Sequence, residues 1–211
     1  MILGCEELNG LSGHERGRKL LRQLWQTHIG GEMPEIAVAD RGKPYFVDSS
    51  WHFSISHTKR RVFCVLSEVP VGMDAEEIDR DINLHLADKV LSPAEKAQFE
   101  AAADKRIALL KFWVLKEAAA KLSGEGLKGY PNHTHFSLDD PRVFEQNGCI
   151  AAICANRVPC WRLGRASGTV LSRTGCCKAV RRGLGSSGIA ADNTGSAGAA
   201  KRELSTCGTV A

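Results

Sequence analysis

The chain has 211 residues, 43% hydrophobic and 25% charged, which is enough apolar mass for a self-sufficient core, and no apolar run approaches the ~20 residues of a membrane helix. The formal charge of +4 is unevenly placed: residues 1–155 carry 19 Lys+Arg against 22 Asp+Glu, residues 156–211 carry 9 against 2. Basic character therefore belongs to the tail, and nucleic acid is not the expected partner of the body.

Met1–Asn9 lacks the basic start and apolar stretch of a signal peptide. The eight cysteines show no C-x-x-C pair or zinc spacing, so a cytoplasmic protein with reduced thiols is expected, Cys64 and Cys154 as core residues. Ser12 and Glu15 form a capping box, and Leu20, Leu21, Leu24 and Trp25 follow at helical spacing. Gly30 and Gly31 end that helix. Arg16, Arg18, Lys19 and Arg22 line its other faces. Short strands are expected at Glu35–Ala39, Tyr45–Val47, Trp51–Ser56, Arg61–Ser67 and Val71–Glu76. Ser92-Pro93-Ala94-Glu95 opens a helix that runs to about Ala103, and Asp104 caps a longer one ending near Ser123-Gly124. His133–Leu138, Arg142–Phe144 and Cys149–Cys154 read as returning strands. From Asn156 on, half of the 56 residues are Gly, Ala, Ser or Thr, which predicts a disordered tail.

Three constellations can carry chemistry. On a strand, Asp74 and Glu76 point to one face, and paired carboxylates suit Mg²⁺, which completes its shell with phosphate oxygens and water. Glu117 and Lys121, four apart on the long helix, sit on the rim of its buried stripe. Lys116 lies about 100° away from Glu117, toward solvent or a ligand edge. Lys43 on a Gly/Pro turn, with Ser56 and His57 at a strand end, offers charge and donors to a phosphate.

In chain order, Gly42-Lys43-Pro44, the Phe53–Thr58 run F-S-I-S-H-T, the Val71–Glu76 run V-G-M-D-A-E and the Phe112–Lys121 run F-W-V-L-K-E-A-A-A-K resemble the 4'-phosphopantetheinyl transferase superfamily. The likeness is to its Sfp-type branch and covers about residues 12–154. The resemblance implies transfer of the phosphopantetheine arm of coenzyme A to a serine of an apo acyl or peptidyl carrier protein, with release of 3',5'-ADP. By the family's pattern, Asp74, Glu76 and Glu117 would hold Mg²⁺ together with the CoA pyrophosphate. Lys121 would lie on the pyrophosphate, Lys116 would face the phosphates, and Lys43, Ser56 and His57 would hold the adenosine 3'-phosphate. Glu117 is the candidate base, and with Lys121 it forms the expected catalytic pair.

The expected architecture is α+β: two similar small α/β halves forming a pseudo-dimer, each a short sheet packed on helices. Residues 1–70 form the first half, 71–155 the second with the metal site, and 156–211 the disordered basic tail. A monomer would suffice. The alternative is a relative that binds CoA or a carrier without turnover, its termini being incomplete.

Overall fold

In the computed structural model, residues 1–127, 134–156 and 171–172 are described, and all fall in one unit, Met1–Gly175. The elements are β1 (Ile2–Glu7), α1 (Gly13–His28), β2 (Ile36–Val38), β3 (Pro44–Phe46), β4 (His52–His57), β5 (Arg61–Ser67), β6 (Val71–Glu77), α2 (Ala87–Val90), α3 (Pro93–Ala101), α4 (Lys105–Ser123), β7 (Val143–Gln146), β8 (Cys149–Ala155) and β9 (Leu171–Ser172). No helix among the described residues is long and apolar enough to cross a membrane.

Local chemistry sets the helix ends. Ser12 with Glu15 and Ser92 with Glu95 both form reciprocal capping boxes, each satisfying two amides that a helix start leaves orphaned. Asp104 caps α4 through the amide of Ile107, and Gly124 ends it in the left-handed region at φ 77°, where glycine carries no Cβ penalty.

Two antiparallel sheets organise the described residues, with strand orders β4-β5-β1-β9 and β6-β8-β7, beside a small β2-β3 hairpin. Helix α1 packs on the first sheet through Leu20, Leu21, Leu24 and Trp25, against Phe53, Val62, Cys64 and Leu66. Helix α4 packs on the second, where Leu115 and Ala118 meet Ile150, Ala152 and Cys154. The opposite faces of the two sheets meet each other: Leu3, Phe63 and Val65 lie against Val71, Met73, Ala75, Ala151 and Ile153. Alternation along β6 therefore buries Val71, Met73 and Ala75 between the sheets and turns Gly72, Asp74 and Glu76 toward α4.

Strands β4 and β6 come together without a ladder of their own. Ser54 Oγ accepts the amide of Met73 at 3.0 Å and Ser56 Oγ that of Ala75 at 3.2 Å. Two side-chain oxygens thus satisfy backbone donors that a strand edge would otherwise leave unpaired.

Several expectations change. Strand β1 was not foreseen; it lies between β5 and β9. The expected strand at His133–Leu138 is irregular chain over its described part, 134–138. Its amides go to side chains of α3 instead, Phe136 N to Glu95 Oε1 at 3.0 Å and Leu138 N to Gln98 Oε1 at 2.9 Å. The expected disordered tail lies outside the described residues, apart from Asn156 and from Leu171–Ser172, which pair with β1.

Candidate functional site

The site is built where α4 crosses β6. Gly72 permits that crossing: a Cβ there would fall inside the van der Waals shell of the Ala118 carbonyl oxygen and the Leu122 amide, and 2.8 Å from Leu122 Cα. With only hydrogen on Gly72, the helix backbone rests directly on the strand. The close approach brings Glu117 and Lys121 to Asp74.

Asp74 is 6% exposed, and its two oxygens differ. Oδ1 accepts from Ser56 Oγ at 2.7 Å and from Lys121 Nζ at 2.7 Å, and Lys121 also donates to Ser56 Oγ at 3.2 Å. Oδ2 is buried with no partner among the described residues. A buried carboxylate oxygen without a donor is costly unless something else satisfies it.

Glu76 lies two residues on. Its Oε1 pairs with Arg80 Nη1. Burial, then the negative charge of Asp74, pushes its carboxyl above the usual range, against the opposing pull of Arg80. Glu117 is raised for the same reasons in the same order, burial and then Asp74, with Lys121 pulling down and Glu76 pushing up. Each of the three carboxylates thus sits within electrostatic reach of the others. As hard, oxygen-only donors they suit Mg²⁺, and the free Oδ2 of Asp74 is an available ligand atom. Among the described residues no three His, Cys, Asp or Glu side chains already stand as a metal cluster. Lys121 and Arg80 each hold one of the oxygens that a cation would take.

Two cavities are lined by residues of the site. One, of about 250 Å³, is lined by Lys43, Phe53, Ser54, Ile55, Glu117 and Lys121 among others. The second, of about 750 Å³, is bordered by His57, Thr58, Lys59, Glu76 and Arg80 together with Glu77, Asp79 and Asp81. Glu117 and Lys121 are half-buried, as the rim of the helix stripe predicts.

The other expected residues are placed as follows. Lys43 donates to the Leu122 carbonyl at 2.7 Å at the end of α4, and burial pushes its pKa down. Ser56 is buried on Asp74. His57 is exposed at the end of β4 and packs over Gly13, where a Cβ would come within 2.7 Å of its Nδ1. Lys116 is a correction. It does not face solvent or a ligand edge, because its Nζ pairs with Glu95 Oε2 at 2.8 Å with the two side chains 1% and 0% exposed. It also donates to Thr134 O at 3.1 Å and lies 5.6 Å from the Phe136 ring.

Sequence reading missed Glu95 in this role. The capping box identified the residue, and nothing local announced that its carboxylate would also serve Lys116 and the Phe136 amide. It missed Gly72 and Arg80 as well. A glycine inside a strand was the available signal for the first, since it marks a close backbone approach.

Comparison with known proteins bears on this arrangement. Residues 70–170 match the model of the 4'-phosphopantetheinyl transferase superfamily, a span that contains Asp74, Glu76, Lys116, Glu117 and Lys121. The chain is 34% identical over 112 residues to 4'-phosphopantetheinyl transferase gsp of Aneurinibacillus migulanus, covering 52% of this chain and 46% of that protein. It is 33% identical over 118 residues to 4'-phosphopantetheinyl transferase AcpT of Escherichia coli O157:H7, covering 53% and 60%. With 4'-phosphopantetheinyl transferase Sfp of Bacillus subtilis strain 168 it shares 36% over 96 residues, covering 44% and 42%. The chain spans about half the length of the curated relatives it matches. The resemblance read from the four blocks, Sfp-type enzymes included, is therefore found again by direct comparison.

Proposed function

We infer, from the superfamily match of residues 70–170 and the site built on it, that this protein transfers the 4'-phosphopantetheine arm of coenzyme A to a serine of an apo acyl or peptidyl carrier protein and releases 3',5'-ADP. The observation that carries the reading is the convergence at Asp74. A buried carboxylate with one oxygen on Lys121 and Ser56 and the other without a partner among the described residues stands within electrostatic reach of Glu76 and Glu117.

Asp74, Glu76 and Glu117 would hold Mg²⁺, which when bound supplies charge neutralisation for the diphosphate and its leaving oxygen. The chain's own groups do the rest. Lys121, on the cavity wall beside Glu117, would put an ammonium where charge grows as the diphosphate link breaks, on the departing 5'-phosphate of 3',5'-ADP. Glu117, bordering the same cavity, is positioned to accept the proton of the incoming serine hydroxyl. Ser56 fixes the Asp74 carboxylate, while Lys43 and His57 supply positive charge or donors at the edges of the two cavities for the adenosine 3'-phosphate. Lys116 acts at a distance, as the buried partner of Glu95.

The division into halves near residue 70 belongs to this reading. Helix α1 on β4-β5-β1 and helix α4 on β6-β8-β7 each set one long helix on an antiparallel sheet. Because β6 and α4 of one chain supply all three carboxylates, one copy would suffice for the chemistry, and a cytoplasmic carrier protein would meet it as a monomer.

Intact mass spectrometry of an apo carrier protein incubated with this chain, CoA and Mg²⁺ is the test. Addition of one phosphopantetheine to the carrier is expected, with loss of that gain in Glu117→Ala while the variant still folds. Stabilisation by CoA without mass gain would instead identify a binding relative that does not turn over.

A further inference from the structure

Arg80 lies outside every motif block, yet it holds one of the three carboxylates. The turn after β6 is closed by its own amide on the Glu77 carbonyl at 2.9 Å, and the guanidinium is thereby returned to Glu76 Oε1. Both side chains border the 750 Å³ cavity. Of the three other acidic groups there, Glu77, Asp79 and Asp81, the first two are held by Arg60, and Arg80 is paired with Glu76. Lys121 is likewise paired with Asp74. Three carboxylates against these two side-chain cations leave one negative charge. A divalent cation entering between the carboxylates reverses the sign, and Arg80 is then repelled from the place it occupied.

The guanidinium is free to leave. Among the described residues its only ion pair is to Glu76, its side chain is 38% exposed, and its backbone is in irregular chain. Its planar fork is suited to two oxygens of a phosphate.

We propose that Arg80 is a displaceable counter-ion, holding Glu76 while the carboxylates lack a divalent cation and turning to the diphosphate of the substrate once the cation takes Glu76. This rests on the transferase reading above. The two roles have opposite signs. As a competitor Arg80 weakens binding of the divalent cation; as a phosphate ligand it strengthens binding of CoA. A residue that only shaped the site would move both affinities the same way.

The experiment uses the full chain. Mn²⁺ binding is followed by electron paramagnetic resonance, and CoA binding by calorimetry at saturating Mg²⁺, for wild type, Arg80→Ala and Arg80→Lys, with melting temperatures for each. Arg80→Ala is expected to bind Mn²⁺ about tenfold more tightly and CoA about tenfold more weakly, the order expected for one partly screened charge a few ångströms away. Arg80→Lys should fall between, and it carries the test if the alanine variant does not fold. Anything other than opposite shifts overturns the proposal. A wild-type chain that binds neither Mn²⁺ nor CoA overturns the transferase reading and this proposal with it.

Discussion

Gly72 lies directly beneath the carbonyl of Ala118, so that the last turns of α4 rest on the β6 backbone with no side chain between them. That close approach lets Lys121 reach Asp74 and brings Glu117 within electrostatic range of it. Gly72→Ala would force the helix off the strand. Overpacking of this kind costs about 1–3 kcal/mol, and here the neighbours are backbone atoms that cannot rotate aside. The variant is expected to melt several degrees lower and, on the transferase reading proposed above, to gain less stabilisation from CoA with Mg²⁺ than the parent chain. Both are read by thermal shift with and without ligand. A folded Gly72→Ala protein with parental CoA affinity would show that helix placement does not govern the site.

The Glu95–Lys116 pair gives a second test. Both side chains are buried, and removing one partner of such a pair typically costs about 3–5 kcal/mol, because the survivor is left as a buried charge without this counter-charge. Glu95→Gln and Lys116→Met should each be strongly destabilised. The double variant should be less destabilised than the sum of the two, and urea unfolding of all four proteins gives the coupling. Additive losses would mean that the pair is not a pair in solution. Because Lys116 is turned into the core, any activity lost in these variants should track the loss of fold rather than appear as a change in CoA affinity alone.

Thiol chemistry is predictable from burial. Desolvation pushes Cys149 and Cys154 up to about 11 and Cys64 higher still, and it raises Cys5 as well. The reactive species is the thiolate, so these four cysteines should resist iodoacetamide at pH 7.5 in the native protein and label fully in guanidinium. Peptide mapping after brief alkylation resolves each site. Rapid native labelling of Cys64 or Cys154 would contradict the packing of the sheet cores.

What was legible in the sequence was local. The helices announced themselves through Ser12–Glu15, Ser92–Glu95 and Asp104, because capping is decided within four residues. The Asp74/Glu76 face followed from strand alternation, and the Glu117/Lys121 face from helical spacing. Strand β1 was not legible: its partner β5 lies more than fifty residues away, and the run Ile2–Glu7 shows apolar residues followed by polar ones rather than alternation. The segment around Phe136 failed for a related reason, since its amides are satisfied by Glu95 and Gln98 some forty residues earlier. For Lys116 the wheel gave a direction without saying what stood there. That a buried glutamate waited on α3 is a tertiary fact. The role of Ser56, spent on Asp74 rather than open to a ligand, was hidden in the same way.

The turn before β7 yields a pH prediction away from the site. Burial pushes the Asp140 carboxyl up, but hydrogen bonds from the Arg142 side chain and amide outweigh it and hold the group below its ordinary value. A carboxylate depressed in the folded state contributes stability that is present in full above its unfolded value, near 3.8. That contribution fades as pH falls toward the folded value, because protonation then removes the acceptor Arg142 needs. Arg142 also lies over the Phe136 ring at 5.0 Å, so release of Asp140 loosens a contact on the α3–α4 core. Asp140→Asn should therefore melt below the parent at pH 7, with the gap narrowing as the pH is lowered from 5 to 2. A gap of constant size across that range would mean that ionisation of Asp140 contributes nothing.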